Sequence, residues 1–180
     1  MLEGWHEFYA VLGTGSAALV ALLFVAVSVG ASALTPARAS ATRTFMSPVV
    51  FHYTNILFLS LIALIPTQTP TIFGLIIGIA AAASFVYSTV IFVMLCRTPM
   101  ADLADRLAYG LVPFGAYASG LVSSYLLLTH SVAAGLDVLA GAALLLLVVN
   151  IRNAWDLMLA MARRAAQISE SSPPPPTGQG

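Results

Sequence analysis

The sequence predicts an all-α fold, a polytopic membrane helix bundle with five transmembrane helices, and three observations carry that prediction. Of 180 residues, 59% are hydrophobic and 8% charged, where a soluble domain averages roughly 45–50% apolar and about 25% charged. Apolar stretches long enough to cross a bilayer recur along the chain. All the arginines fall in alternate connections between those stretches. So little charge cannot coat a water-soluble core of this size. The balance is even, with Lys+Arg 7 (all arginine) against Asp+Glu 7, and it excludes the basic face that a nucleic-acid partner requires. The single cysteine, Cys96, excludes an internal disulfide and a cysteine-built zinc centre.

A spanning helix needs about 20 apolar residues, because each rises about 1.5 Å through a hydrocarbon layer of about 30 Å. The five segments are Phe8 to Leu34, Phe45 to Ile65, Ile72 to Leu95, Leu107 to Leu128 and Val132 to Val149. They are continuously apolar, without the alternation of a membrane β-barrel strand. The connections are too short to hold a soluble catalytic domain. The link Thr129-His130-Ser131 makes the fourth and fifth helices antiparallel neighbours, and Pro66 to Thr71 does the same for the second and third. Beyond Asn150 the last helix is expected to continue to about residue 164. There Ile151, Ala154, Trp155, Met158 and Ala162 share one face, while Arg152 and Asp156 can pair on another. Residues 1–164 then form a single domain. The Pro-rich stretch 165–180 is expected to be a disordered tail.

Orientation follows from the arginines. Arg38 and Arg43 lie in the first connection, Arg97 and Arg106 in the third, and Arg152, Arg163 and Arg164 after the fifth segment. With five spans all seven are on one side, so the positive-inside rule puts the amino terminus outside and the carboxyl end in the cytoplasm. Trp5 and Trp155 fall where interfacial aromatic anchors belong. Ala31-Ser32-Ala33 could be read as a signal-peptidase site. Glu3 and Glu7 in place of basic residues, and the length of the apolar run, argue for a retained helix.

Polar residues inside the spans are few. Asp137 is the one formal charge within the five segments, about 7–8 Å below the outer end if the helix starts at Val132. A carboxylate at that depth needs a partner or a proton. It is expected to be neutral and hydrogen-bonded, with Tyr125 or Ser124 in reach, or to bind a proton or cation. His52 and Asn55, three apart, share a face of the second helix and form a second possible intramembrane polar site. Gly74, Gly78 and Ala82 on the third helix, Gly13, Ala17 and Ala21 on the first, Ser28 and Ser32 further along it, and Gly141 beside Asp137 are candidates for close helix packing. Pro113, between Gly110 and Gly115, is expected to distort the fourth helix and free a carbonyl near position 109. His6, His52 and His130 do not share a helical spacing. Only a weak outer metal site, with Glu3 and Glu7 near His6, is conceivable. No catalytic constellation, metal centre or cofactor motif is visible, so no enzyme activity and no cofactor are expected.

The opening Trp5-His6-Glu7-Phe8-Tyr9, the run Leu22-Leu23-Phe24-Val25-Ala26 and the late Ile151-Arg152-Asn153-Ala154-Trp155-Asp156 together resemble an uncharacterised family of small bacterial inner-membrane proteins. Some of its members are labelled as modulators of the FtsH-type membrane protease. The resemblance covers the chain to about Arg164 and implies a bacterial plasma-membrane location, with no catalytic residues to carry over. The reading favoured by the residues is a non-enzymatic protein that acts through helix–helix association, as a homo-oligomer or within a larger membrane complex. The alternative is a subunit of an oligomeric channel or transporter for a proton, an ion or a small solute, resting on Asp137, His52, Asn55 and Pro113.

Overall fold

The computed structural model describes the backbone of residues 3–30, 36–97, 103 and 106–171, with side chains outside 3, 27, 29, 30, 36–47, 161 and 164–171. Among these residues every regular element is helical, without a strand. A 3-10 turn, Glu3–Trp5, leads into α1, His6–Gly30. Then come α2, Pro36–Ala63, and α3, Pro70–Arg97. A π-helical turn, Arg106–Leu111, opens α4, Val112–Leu128, and α5 runs from Val132 to Ser171.

The boundaries follow from local chemistry. Pro66 stops α2, and α3 restarts behind Thr69, whose hydroxyl accepts the N–H of Ile72 at 3.3 Å while Pro70 takes the first helical position. Between α4 and α5 His130 adopts a left-handed φ of 66°. Ser131 N–H reaches back to the Leu126 carbonyl at 2.9 Å, and Thr129 N–H to that of Tyr125 at 3.0 Å. These bonds close the helix end in three residues.

The helices form two antiparallel pairs, α1–α2 and α3–α4, with α5 packed between them against α4 on one side and α2 and α1 on the other. Sequence adjacency predicts α2 and α3 as packed neighbours. Instead they meet at few points, because α5 and α4 occupy the faces each would have offered. The core reaches across both pairs through Tyr9, Ile56, Phe73, Tyr117, Leu136 and Leu146. The polar and apolar surfaces are inverted relative to a soluble protein. Val11, Leu22, Ile79, Val86, Val122 and Val148 point outward, whereas His52, Ser84, Ser88, Ser123, Asn150 and Asn153 are buried. An apolar exterior of this extent needs an apolar solvent.

Four helices are long and apolar enough to cross a membrane: His6–Ala26, Pro70–Arg97, Arg106–Leu128 and Val132–Ala160. The second expected span is different. Of helix Pro36–Ala63, the apolar part whose side chains are described is Pro48–Ala63, and Pro48 lies inside the helix, where it interrupts the backbone ladder. The connection expected to hold Arg38 and Arg43 is helical from Pro36 onward. The last helix passes residue 164 and is described as far as Ser171, so residues 165–171 are helical where an irregular tail is expected. Ala31-Ser32-Ala33 and residues 172–180 lie outside the described residues.

Two distortions are informative. Pro113 does more than bend α4: the turn before it widens to π geometry. In an i→i+5 ladder the Ala108 carbonyl would accept from residue 113, which as proline has no N–H. Asn153 of α5 supplies the missing donor, its Nδ2 reaching the Ala108 carbonyl at 3.1 Å. In return the Tyr109 hydroxyl donates to the Asn153 carbonyl at 3.1 Å. The other is close approach between helices. A Cβ on Gly78 would lie 2.5 Å from Ser124 Oγ, and one on Gly74 3.0 Å from Leu127 Cβ. At this seam the Ser124 hydroxyl donates to the Gly74 carbonyl at 2.7 Å. The small-residue face continues through Ala81, which meets Gly120, and not through Ala82, which is exposed. Four-residue spacing drifts off a 3.6-residue helix, and the same drift puts Ala17 and Ala21 outside while Gly13 faces Ser60.

Candidate functional site

The two helix pairs are tied together by a polar cluster that begins with His52 and Asn55. On α2 these residues sit one turn apart and face into the bundle, His52 buried and Asn55 half-buried. His52 Nδ1 and the Tyr117 hydroxyl of α4 are 2.7 Å apart. The Ser84 hydroxyl of α3 donates to Asn55 Oδ1 at 3.0 Å, and Asn55 Nδ2 donates to the Phe51 carbonyl at 2.9 Å. Phe51 and Tyr87 pack beside them with centroids 4.2 Å apart and ring planes tilted by 41°.

Donor counting orients the Asn55 bonds. The Asn55 amide is fixed by the Phe51 carbonyl, which can only accept, so Oδ1 receives the Ser84 proton. Two bonds thus leave α2 for its neighbours, His52 to Tyr117 of α4 and Asn55 to Ser84 of α3, the donor in the first set by the imidazole tautomer. The cluster latches three helices together, and an imidazole next to a hydroxyl can also pass a proton. It contains no carboxylate and no nucleophile set against a base. A cleft of about 60 Å³ runs alongside, lined by Asn55, Ser84 and Tyr117 on its polar wall and by Ile77, Ala81 and Leu139 on its apolar one. That is room for a few waters with polar partners at hand.

Asp137 is elsewhere. It faces outward from α5 and makes no hydrogen bond or ion pair among the described residues. The pairing expected with Ser124 or Tyr125 does not form: Ser124 is committed to Gly74, and Tyr125 points outward, 66% exposed. Gly141, expected in helix packing, shares Asp137's exposed face, and a Cβ there would meet nothing within 4 Å. The physical reason is helical phase: Leu136, Leu139, Ala140 and Ala143 take the inward face and turn 137 and 141 away from it. Trp5 packs with Phe8 and Tyr9 at the start of α1, and Trp155 is exposed on α5. His6 and His130 are both exposed.

Sequence reasoning missed Ser84, Tyr117, Tyr109 and Asn153. For Asn153 a signal existed, since a proline at 113 announces an orphan carbonyl that some donor has to meet. Serine and tyrosine are tolerated on any face of a membrane helix and carry no comparable signal. By fold and exterior the chain is a multi-pass helical bundle with a buried polar latch. No protein-family model, curated protein or solved structure matches it.

Proposed function

We propose that the chain is a five-span bacterial inner-membrane protein, amino terminus outside, that acts without chemistry of its own by packing the exposed face of α5 against another transmembrane helix. That helix belongs to a second copy or to a larger membrane partner. The observation that carries the reading is the outward Asp137–Gly141 face. Asp137 and Arg152 are 15 positions apart on one helix, about 22 Å, in a hydrocarbon layer of about 30 Å. They cannot both reach the interfaces unaided. Arginine snorkels on its long stem, whereas aspartate is short, so the shortfall falls on Asp137. A lipid-facing carboxylate below the interface is costly, and small neighbours let another helix cover it.

Five spans are supported by the antiparallel order of the helices. It brings the start of α2, the end of α3, the start of α4 and the Arg152 level of α5 to one end of the bundle, with Glu3, Glu7 and Asp137 toward the other. The resemblance of the segments around Trp5, Leu22 and Ile151 supports the bacterial inner membrane.

Site-directed cross-linking tests the reading. In a Cys96→Ser background, Gly141→Cys in native membranes should give an adduct, either of twice the chain's mass or with a larger protein. Ala143→Cys, on the buried face, should give none. A Gly141→Cys chain that stays monomeric under the cross-linker, yet labels readily with a lipid-soluble maleimide, overturns it.

The second reading, an oligomeric channel or transporter subunit, is favoured by one observation, the His52–Tyr117 and Asn55–Ser84 pairs beside a cleft. Proton flux in proteoliposomes that falls with His52→Phe supports it. Flux equal to empty vesicles removes it.

A further inference from the structure

We propose that the groove between α1, α2 and α5 binds one anionic phospholipid, its acyl chain in the groove and its phosphate on Arg152. The groove encloses about 440 Å³. Its walls are Leu19 and Leu23 of α1 and Val148 of α5, and its polar edge is Arg152 with Trp155 beside it. One further lining residue has no use for the core around it. Tyr53 is 0% exposed, yet its hydroxyl has no hydrogen-bond partner among the described residues. A buried phenol of this kind is costly in hydrocarbon.

The chemistry of a phospholipid fits this arrangement at three points. An acyl chain matches the apolar walls. A glycerol ester carbonyl, just below the phosphate, is the acceptor that the Tyr53 hydroxyl lacks. The phosphate matches Arg152. Its guanidinium is held on one edge by Asp156, four residues on, at 3.7 Å with both side chains about half exposed (50% and 43%). This is a weak, solvated contact that leaves most of the five N–H donors of the guanidinium for an anion. The Asp156 carboxylate opposes the phosphate and tempers its affinity. Trp155, 64% exposed three residues from Arg152, is placed as headgroup-level aromatic residues are. A zwitterionic phosphocholine lipid satisfies the walls and Tyr53 but brings its own ammonium to the Arg152 edge. An acidic headgroup is therefore preferred.

Trp155 reports on the site directly, since Trp5 is the only other tryptophan. The full chain carrying Trp5→Phe is reconstituted in phosphatidylcholine vesicles. Small fractions of chain-brominated phosphatidylglycerol or chain-brominated phosphatidylcholine are added. Trp155 should be quenched saturably, and several-fold more by the glycerol lipid. Arg152→Gln should abolish the preference, and Tyr53→Phe should weaken glycerol-lipid quenching about 3-fold, the worth of one modest intramembrane hydrogen bond. Ala154→Phe, which fills the groove and leaves Arg152 in place, should also abolish the saturable component. Equal quenching by the two lipids overturns the proposal. So does a preference that survives Ala154→Phe, because that would be charge attraction to the surface without occupancy of the groove.

Discussion

Helix α5 carries polar residues toward both of its membrane ends, and it treats them in opposite ways. Near the arginine-bearing end, Asn150 and Asn153 are 0% exposed and turned into the bundle. Asn150 Nδ2 donates to the Leu146 carbonyl at 2.7 Å, and Asn153 exchanges bonds with the π turn of α4. Toward the other end Asp137 is turned out and bonded to nothing in the described chain. The lesson is one of assignment. The inward amides on this helix give their N–H groups to backbone carbonyls of the fold, in one case a carbonyl beside Pro113, while their Oδ1 atoms have no partner among the described residues. The outward group has no bond of either kind among them.

The strongest way to break the comparison is at the inward seam between α3 and α4. Gly78→Leu puts a side chain where even a Cβ would lie 2.5 Å from Ser124 Oγ, and Ser124 is itself committed to the Gly74 carbonyl. The helices must part, at a cost of about 3 kcal/mol, the upper end for overpacking a well-packed contact. Denaturation in mixed micelles should show it, with Gly141→Leu as the outward counterpart that leaves stability unchanged.

Asn153→Leu ranks next. It removes the side-chain donor to the Ala108 carbonyl, which in the π ladder would face Pro113 and its missing N–H. A buried acceptor left without a donor costs about 2 kcal/mol. The loss should concentrate in the π turn, so hydrogen exchange at residues 106 to 111 should accelerate more than at the α4 centre. Uniform acceleration would mean that the asparagine supports the bundle in general and not that turn.

Tyr117→Phe is milder. It cuts the bond to His52 but keeps the ring in the core. Membrane hydrogen bonds average about 0.6 kcal/mol, so the loss should be of that size. His52→Phe should cost a similar amount. The double variant should lose less than the sum, because both changes break the same bond.

Much of this bundle was legible beforehand, and the part that was not has a physical cause. Span positions, the short α4–α5 link and the disturbance at Pro113 follow from apolar length, loop length and a missing N–H. Those quantities are local. Which face of each helix turns inward is not local. Here the spans are apolar nearly all round, so no amphipathic stripe distinguishes core from lipid. Sequence therefore shows that His52 and Asn55 share a face but not that Tyr117, 65 positions away, completes it. The same blindness makes Gly78 and Gly141 look equivalent, although one is pressed against Ser124 and the other is open.

The smallest expected effect on the isolated chain is that of Asp137→Asn, and it sharpens the comparison most. Nothing in the described structure donates to that carboxylate or is oriented by it. Its removal costs no bond, and relief from holding a charge beneath the interface works in favour of the variant. Stability in detergent should stay within about 0.5 kcal/mol of the parent, the range for exposed substitutions away from special features. In native membranes the outcome should differ. If the carboxylate meets a donor on a neighbouring helix, Asp137→Asn weakens the Gly141→Cys cross-link while Asp137→Leu removes it. The amide can still accept a hydrogen bond, and the leucine cannot. A loss of detergent stability comparable to that of Asn153→Leu would place Asp137 among the inward, structural polar groups and dissolve the distinction between the two ends of α5.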